Sequence, residues 1–289
     1  MKIVFIDKKN IQLSVENKSI RIDDKKIPMK LIDTVVISTS CSLDSRDILK
    51  ITREGVSILL VSSRISDSAI INSPKINKNS QIKMQQFLAQ KRALEIAKNF
   101  LTKKVERGAI HLSRHNISLD ISKSLDSIQR ARSIERLLGI EGSFSKQYFK
   151  HYFKLFPKNT NLGKRSKQPP LDPANAMMSF SYMMIYNLIT IYLLSAGFEP
   201  TIGFLHKPFR SHNALSSDFM ELFRADIDEF VLGLFREKKL KVSDFTKKNG
   251  VYLKYEARRG IWQDFKRFHQ KLHPKIEKEI TLFKKTVKE

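Results

Sequence analysis

The fold of this chain is constrained most by a change of hydrophobic period near residue 72. Before it, apolar residues fall in short runs rich in Val and Ile, at 3–6, 12–16, 19–22, 34–38 and 56–62, which read as strands. One short helix interrupts them. Asp44 or Ser45 caps it, Ile48, Leu49 and Ile51 recur at helical spacing, and Gly55 closes it. Beyond the change, Met84, Phe87, Leu88, Leu94, Ile96, Ala97 and Leu101 lie three, four or seven apart in a stretch free of Gly and Pro. That spacing predicts a long helix, and further helices are predicted at about 118–138, 144–156, 175–195, 218–238 and 262–286. Residues 72–80 are polar and aperiodic, a linker. The pattern specifies an α+β protein, with a small β-rich domain at 1–78 and a larger α-helical domain at 79–289.

Charge says what such a protein would bind. The chain has 289 residues with 53 Lys+Arg against 29 Asp+Glu, a net +24, which calls for a polyanion: nucleic acid first, an anionic membrane surface second. Through residue 80 there are 14 basic and 9 acidic residues, so the remainder holds 39 and 20, a net +19. The nucleic-acid surface is therefore expected in the helical part. Cys41 is the single cysteine, which excludes a disulfide framework and a Cys-based zinc site and fits a reducing compartment. The N-terminus meets Asp7 too early for a signal peptide, so a cytoplasmic location is expected.

Residues 173–198 carry no charge, enough to meet the length of a membrane span. Asn175, Ser179, Ser181, Asn187, Thr190 and Ser195 suit a helix buried in a protein core better. A span would also put Glu141 and His206 on opposite membrane faces. The reading is a core helix and no membrane association.

Three groups of residues could carry chemistry. Glu141 stands between Gly139 and Gly142 in a predicted turn, at the edge of a basic tract: from 143 to 216 only Asp172 and Glu199 face nine Lys+Arg. Such surroundings keep a carboxylate ionised, as a metal ligand must be. Within the tract, Lys146, Lys150 and Lys154 are four apart and line one helix face at about 6 Å per step. Tyr148, Phe149, Tyr152 and Phe153 interleave with them, and Lys164 and Arg165 follow on a predicted loop. Like charges so placed cost a few tenths of a kcal/mol per pair, which a phosphate backbone along the stripe offsets. The third group is His206 with Asp218 and Glu221, the last two on one face of a helix predicted to open at Ser217. Asp-x-x-Glu is also a capping box, with Asp218 at the N-cap and Glu221 at N3. One imidazole and two or three carboxylates suit Mn²⁺ or Mg²⁺, the imidazole favouring manganese. His111 and His115 are four apart but have no third ligand in the sequence around them, so they read as incidental. His212, beside Arg210, is a candidate phosphate contact.

Several ordered segments together resemble the CRISPR-associated integrase family, the first of the two general CRISPR adaptation proteins. The strongest is the run from Gln168-Pro169-Pro170-Leu171-Asp172-Pro173 to Ser179-Phe180-Ser181-Tyr182. Ala196-Gly197-Phe198-Glu199-Pro200, Gly203-Phe204-Leu205-His206 and Ser217-Asp218-Phe219-Met220-Glu221-Leu222-Phe223-Arg224 follow it, and Gly139-Ile140-Glu141-Gly142 precedes it. Ala225 and Leu222 stand where proline is frequent in the family, and Phe219 where leucine is usual. The resemblance implies an N-terminal β-sandwich-like domain and an all-α catalytic domain. It implies Glu141, His206 and Glu221 as metal ligands with Asp218 beside them. It also implies homodimers bracketing a small ferredoxin-like dimer, the second adaptation protein. The implied activity is insertion of a short prespacer duplex into a CRISPR repeat, by attack of a 3′-hydroxyl on a phosphodiester. Lys146, Lys150, Lys164, Arg165 and Arg224 are the expected contacts to double-stranded or branched DNA, on charge and spacing alone. A general branched-DNA nuclease and a non-catalytic DNA-binding scaffold are the alternative readings.

Overall fold

A computed structural model describes residues 2–8, 11–61, 68–73, 80–207 and 212–289. The first 71 residues form two four-stranded sheets around one short helix. One sheet has the order β1 (Ile3–Ile6), β5 (Thr34–Ile37), β7 (Ser57–Val61), β8 (Ser68–Ile71); its first three strands are parallel and β8 is antiparallel to β7. The other has the order β4 (Lys25–Pro28), β3 (Ser19–Ile22), β2 (Ile11–Glu16), β6 (Cys41–Ser42). The expected helix is α1 (Ser45–Arg53); the Asp44 side chain accepts from the Arg46 amide and Gly55 follows at φ +96°. The short β4 and β6 had no run of apolar residues to announce them, and β8, with only Ala69-Ile70-Ile71, was missed. Ser62, Arg210 and most of the expected linker (74–79), including the 78/79 boundary, lie outside the described residues.

Alternation along β5 explains why its sequence is a continuous apolar run. Val35 and Ile37 face a core shared with Ile6, Leu13, Ile20, Ile51 and Ile58, between the two sheets. Val36 points the opposite way, with Ile3, Leu59 and Val61, into the core of the helical part. A strand buried on both faces needs no polar residues. The first sheet is thus the middle layer of the molecule, between the second sheet and the helices.

The helical part comprises α2 (Ser80–Leu88), α3 (Ala93–Ser113), α4 (Ser122–Arg130), α5 (Ile134–Tyr152), α6 (Pro173–Ser195), α7 (Ala214–Glu221), α8 (Arg224–Arg236) and α9 (Tyr255–Thr286). A small hairpin, β9 (Phe245–Lys247) and β10 (Val251–Leu253), precedes α9. The uncharged stretch is α6, capped by the Asp172 side chain on the Asn175 amide and buried through most of its length. Helix boundaries differ from the sequence reading at several places set by packing, among them the expected 118–138 helix, which is α4 and the start of α5. A 3-10 turn at Ala89–Arg92 splits the first long helix, leaving Met84, Phe87 and Leu88 exposed. The expected 218–238 helix is two helices, α7 and α8. Gly139 and Gly142 lie inside α5, because Leu137, Ile140, Phe144 and Tyr148 form a continuous buried stripe across them. Burying that stripe outweighs the roughly 1 kcal/mol each glycine costs in a helix.

The β part is fastened to α9 at β1. Phe5 stacks on Trp262 with centroids 4.7 Å apart. Beside it, Asp7 is buried and accepts from Arg258 Nη2 (2.8 Å) and Trp262 Nε1 (2.7 Å). Trp262→Phe keeps the ring stack but leaves that lobe of the carboxylate short of a donor. It is expected to destabilise the protein by about 1 kcal/mol, read as a lower urea midpoint at unchanged m.

Candidate active site

The site is assembled where α3, α5 and α7 meet. Helices α3 and α5 approach closely because residue 108 is glycine: a Cβ there would lie 2.7 Å from the Phe144 ring. That contact, one turn on from Lys104 and just under one turn on from Glu141, sets these two side chains against each other. The Lys104 ammonium, only 6 % exposed, pairs with Glu141 Oε1 and lies 2.6 Å from Glu221 Oε2. Ser145 Oγ also donates to Glu141 (2.7 Å), and Arg224 Nε donates to Glu221 Oε2 (2.6 Å). Two carboxylates from different helices, Glu221 buried and Glu141 half-buried, therefore face one another across a cation.

Burial pushes the Glu141 carboxyl up and Glu221 adds to that, but Lys104 outweighs both and holds it below its ordinary value. Burial opposes ionisation of Glu221 more strongly still, yet Arg224 and Lys104 hold it far below the usual carboxylate range. Both are ionised at neutral pH.

Asp218 does not cap a helix. Helix α7 opens at Ala214, four residues earlier than expected, and Asp218 is fully buried within it. Its carboxylate turns to the loop before the helix and accepts the backbone N–H groups of Phe204 (2.6 Å), Leu205 (3.1 Å) and His206 (2.9 Å). It also holds His206 Nδ1 at 2.7 Å. The loop closes on α7 because residue 203 is glycine: a Cβ there would sit 2.7 Å from Ala214 Cβ. Burial lowers the affinity of His206 for a proton, but the bond to Asp218 outweighs it and the net shift is upward. With Nδ1 fixed, Nε2 is the nitrogen left to act, and the ring is about a quarter exposed.

The expected phosphate contacts divide into two sets. Lys146 and Lys150 are exposed on α5, and Lys154 and Lys158 continue past its end. Tyr148, Tyr152 and Phe153 are buried and cannot stack on bases, whereas Phe149 is half-buried. Lys164 is exposed. Arg165 is tied to Asn175 Oδ1 (2.8 Å) and Ser179 Oγ (3.1 Å), with a buried Nε that has no partner among the described residues. Arg165, Lys167, Tyr182, Met220 and Arg224 line a cavity of 630 Å³ beside the carboxylates. Arg224 lies over the Tyr182 ring at 4.8 Å. His212 is held by Ser217 Oγ (2.9 Å) and stacks on Tyr186.

Sequence reading missed Lys104 and Lys167. A lysine inside a long amphipathic helix carries no local sign that it reaches a site. Lys167 was within the basic tract, and burial together with Arg224 and Arg165 pushes its ammonium down. His111 and His115 were set aside for want of a third ligand, and α8 supplies one, Glu229.

The chain is similar to known proteins along nearly its whole length. It is 30 % identical to the CRISPR-associated endonuclease Cas1 1 of Thermodesulfovibrio yellowstonii, over 93 % of this chain and 92 % of that protein. A Cas1 protein from Thermotoga maritima shares the fold at a TM-score of 0.90, covering 99 % of this chain and 97 % of that one, at 17 % identity. A casposase bound to its integration product aligns at 0.82, with 22 % identity, over 93 % and 82 % of the two chains. A Cas6-RT-Cas1–Cas2 complex contains a chain of which this one spans about a third: it aligns at 0.82 with 20 % identity, covering 99 % of this chain and 35 % of that one. The family model for CRISPR associated protein Cas1 matches residues 3–267, and the chain belongs to that family.

Proposed function

We propose that this protein is a metal-dependent DNA integrase and endonuclease of CRISPR adaptation, which joins the 3′-hydroxyl of a short duplex to a phosphodiester at a CRISPR repeat. One observation carries the reading: two ionised carboxylates from different helices, one buried and one half-buried, share a cation beside a fixed imidazole, in a basic cleft. A surface meant only to hold DNA gains nothing from buried acids.

The donor set fits a hard divalent ion. Glu141, Glu221 and His206 Nε2 would hold Mn²⁺ or Mg²⁺, with two oxygens and one nitrogen. Such an ion would polarise a scissile phosphate and stabilise charge on the oxygens of its pentavalent phosphorus. The chain's own residues do the rest. Asp218 fixes the His206 tautomer and ring direction, the usual task of a carboxylate behind a ligand imidazole. Lys104 balances the paired carboxylates when they hold no other cation. Arg224, Arg165 and Lys167 face the cavity and neutralise the phosphate being attacked. Lys146, Lys150 and Lys164 hold the duplex further out. The assembly is proposed to be a homodimer around a small ferredoxin-like dimer of the second adaptation protein, the kind of partnership named in the Cas1–Cas2 complex.

Incubation with a branched DNA substrate and Mn²⁺ is expected to give strand-transfer products, and chelation to abolish them. Nicked products alone would mean that water is the nucleophile and that the protein is a nuclease. Binding should also be electrostatic. With six or more phosphates neutralised, affinity is expected to fall at least about 10³-fold between 50 and 200 mM salt, measured by anisotropy. A flat salt profile would remove the basic face from the interface.

A further inference from the structure

We propose that His111, His115 and Glu229 form a second metal site, one that takes zinc and clamps α3 to α8. His111 is in the last turn of α3 and His115 is in the turn that follows it, and both imidazoles reach Glu229. Their Nε2 atoms lie 2.8 and 2.7 Å from the same atom, Glu229 Oε2, on α8. All three ligand atoms fall within 4.8 Å of one another. A tetrahedral zinc with bonds of about 2.0–2.1 Å holds its ligand atoms roughly 3.3 Å apart, so each N···O contact needs to open by only a fraction of an ångström. Glu229 can move to allow it. Its side chain is 45 % exposed and borders an open groove of 430 Å³, which also gives the ion a way in.

Hydrogen-bond parity points to a cation at this spot. Tyr148 donates its hydroxyl to Asp228 Oδ2 (2.9 Å) and therefore accepts from His111 Nδ1 (2.7 Å). The His111 lone pair is then on Nε2, aimed at a carboxylate oxygen, and the ring itself is almost wholly buried. For a neutral ring, lone pair against carboxylate is repulsive, and either a second proton on Nε2 or a metal ion between the two atoms relieves it. The Tyr148–Asp228 chain behind His111 is also the arrangement that orients a ligand imidazole.

On the other ring, Arg236 Nη1 donates to His115 Nδ1 (3.1 Å). An ion on Nε2 requires the proton on Nδ1, so this exposed guanidinium must swing away on binding. Two nitrogens and one oxygen with a fourth position facing solvent is a zinc-type set, richer in nitrogen than the Glu141 site. The two are separate: residues 104 and 111 are about 10 Å apart along α3.

The test uses the full-length protein, stripped of metal and titrated with Zn²⁺ against a colorimetric chelator. Wild type is expected to bind one more ion per chain than either His115→Ala or Glu229→Gln, and Glu141→Ala to keep that ion. Zinc at about a hundredfold its dissociation constant should raise the wild-type melting temperature by about 5 °C, a shift missing in the two variants. Co²⁺ should give a visible absorption band that both variants lose. His115 is near the end of α3 and Glu229→Gln preserves shape, and circular dichroism without metal checks that each variant folds. Equal stoichiometry in wild type and both variants, or loss of the ion in Glu141→Ala, overturns the proposal. None of these readouts depends on DNA joining, so the result stands apart from the fate of the integrase reading.

Discussion

Glu141→Ala is expected to reduce strand transfer on branched DNA by at least about 10²–10³-fold, while binding to a plain duplex stays largely intact. The magnitude follows from removing one carboxylate from a set of three donors, a group placed where charge develops on the phosphate. The fold should survive. Glu141 lies at the edge of the helical core, and Lys104 keeps Glu221 as a partner at 2.6 Å. The denaturant midpoint should therefore move little, which separates a lost ligand from a lost structure. Glu141→Gln is the sharper control, because it retains shape and the Ser145 hydrogen bond while removing the charge. Manganese-dependent strand transfer persisting in either variant would sink the assignment of Glu141 to the site.

Asp218→Asn should fail in a different way. The native carboxylate accepts four hydrogen bonds, from the backbone N–H groups of 204, 205 and 206 and from His206 Nδ1. An amide in its place turns an NH₂ group on two of those donors, in a fully buried position. Leaving buried donors unpaired costs about 1–3 kcal/mol each, and part of that is relieved by the loop moving, so a loss of about 2–4 kcal/mol is expected. Strand transfer should drop a further 10–100-fold, the usual effect of losing the group that orients a ligand imidazole. A lower urea midpoint together with weakened Mn²⁺ affinity supports that role. Normal stability with activity lost would instead make Asp218 a direct ligand.

The contrast between these two carboxylates shows how much of the site was legible in the sequence. Both were singled out, and so were His206 and Glu221, on residue type, spacing and the family resemblance. Their surroundings were read wrongly for a physical reason. Gly139 and Gly142 argue for a turn by local propensity, but a buried stripe on α5 keeps the helix running through Glu141. Asp218 and Glu221 match a capping box by spacing, but the start of α7 is set at Ala214, where the chain closes on Gly203. Local rules cannot weigh packing energy that comes from residues far along the chain.

By itself the sequence determined the order of the architecture, strands first and helices after, because periods of 2 and 3.6 are local properties of any exposed or buried face. It determined that the uncharged stretch is better suited to a core than to lipid, and it put the positive charge in the helical part. The tertiary structure alone decided which distant groups meet. Lys104 reaches Glu141 across 37 residues, and Glu229 reaches His111 across 118. Such pairs arise from helix packing, where one missing Cβ at Gly108 fixes the register. No spacing along the chain records that contact, so the cation between the carboxylates and the third ligand beside the histidines became visible only once the helices were in place.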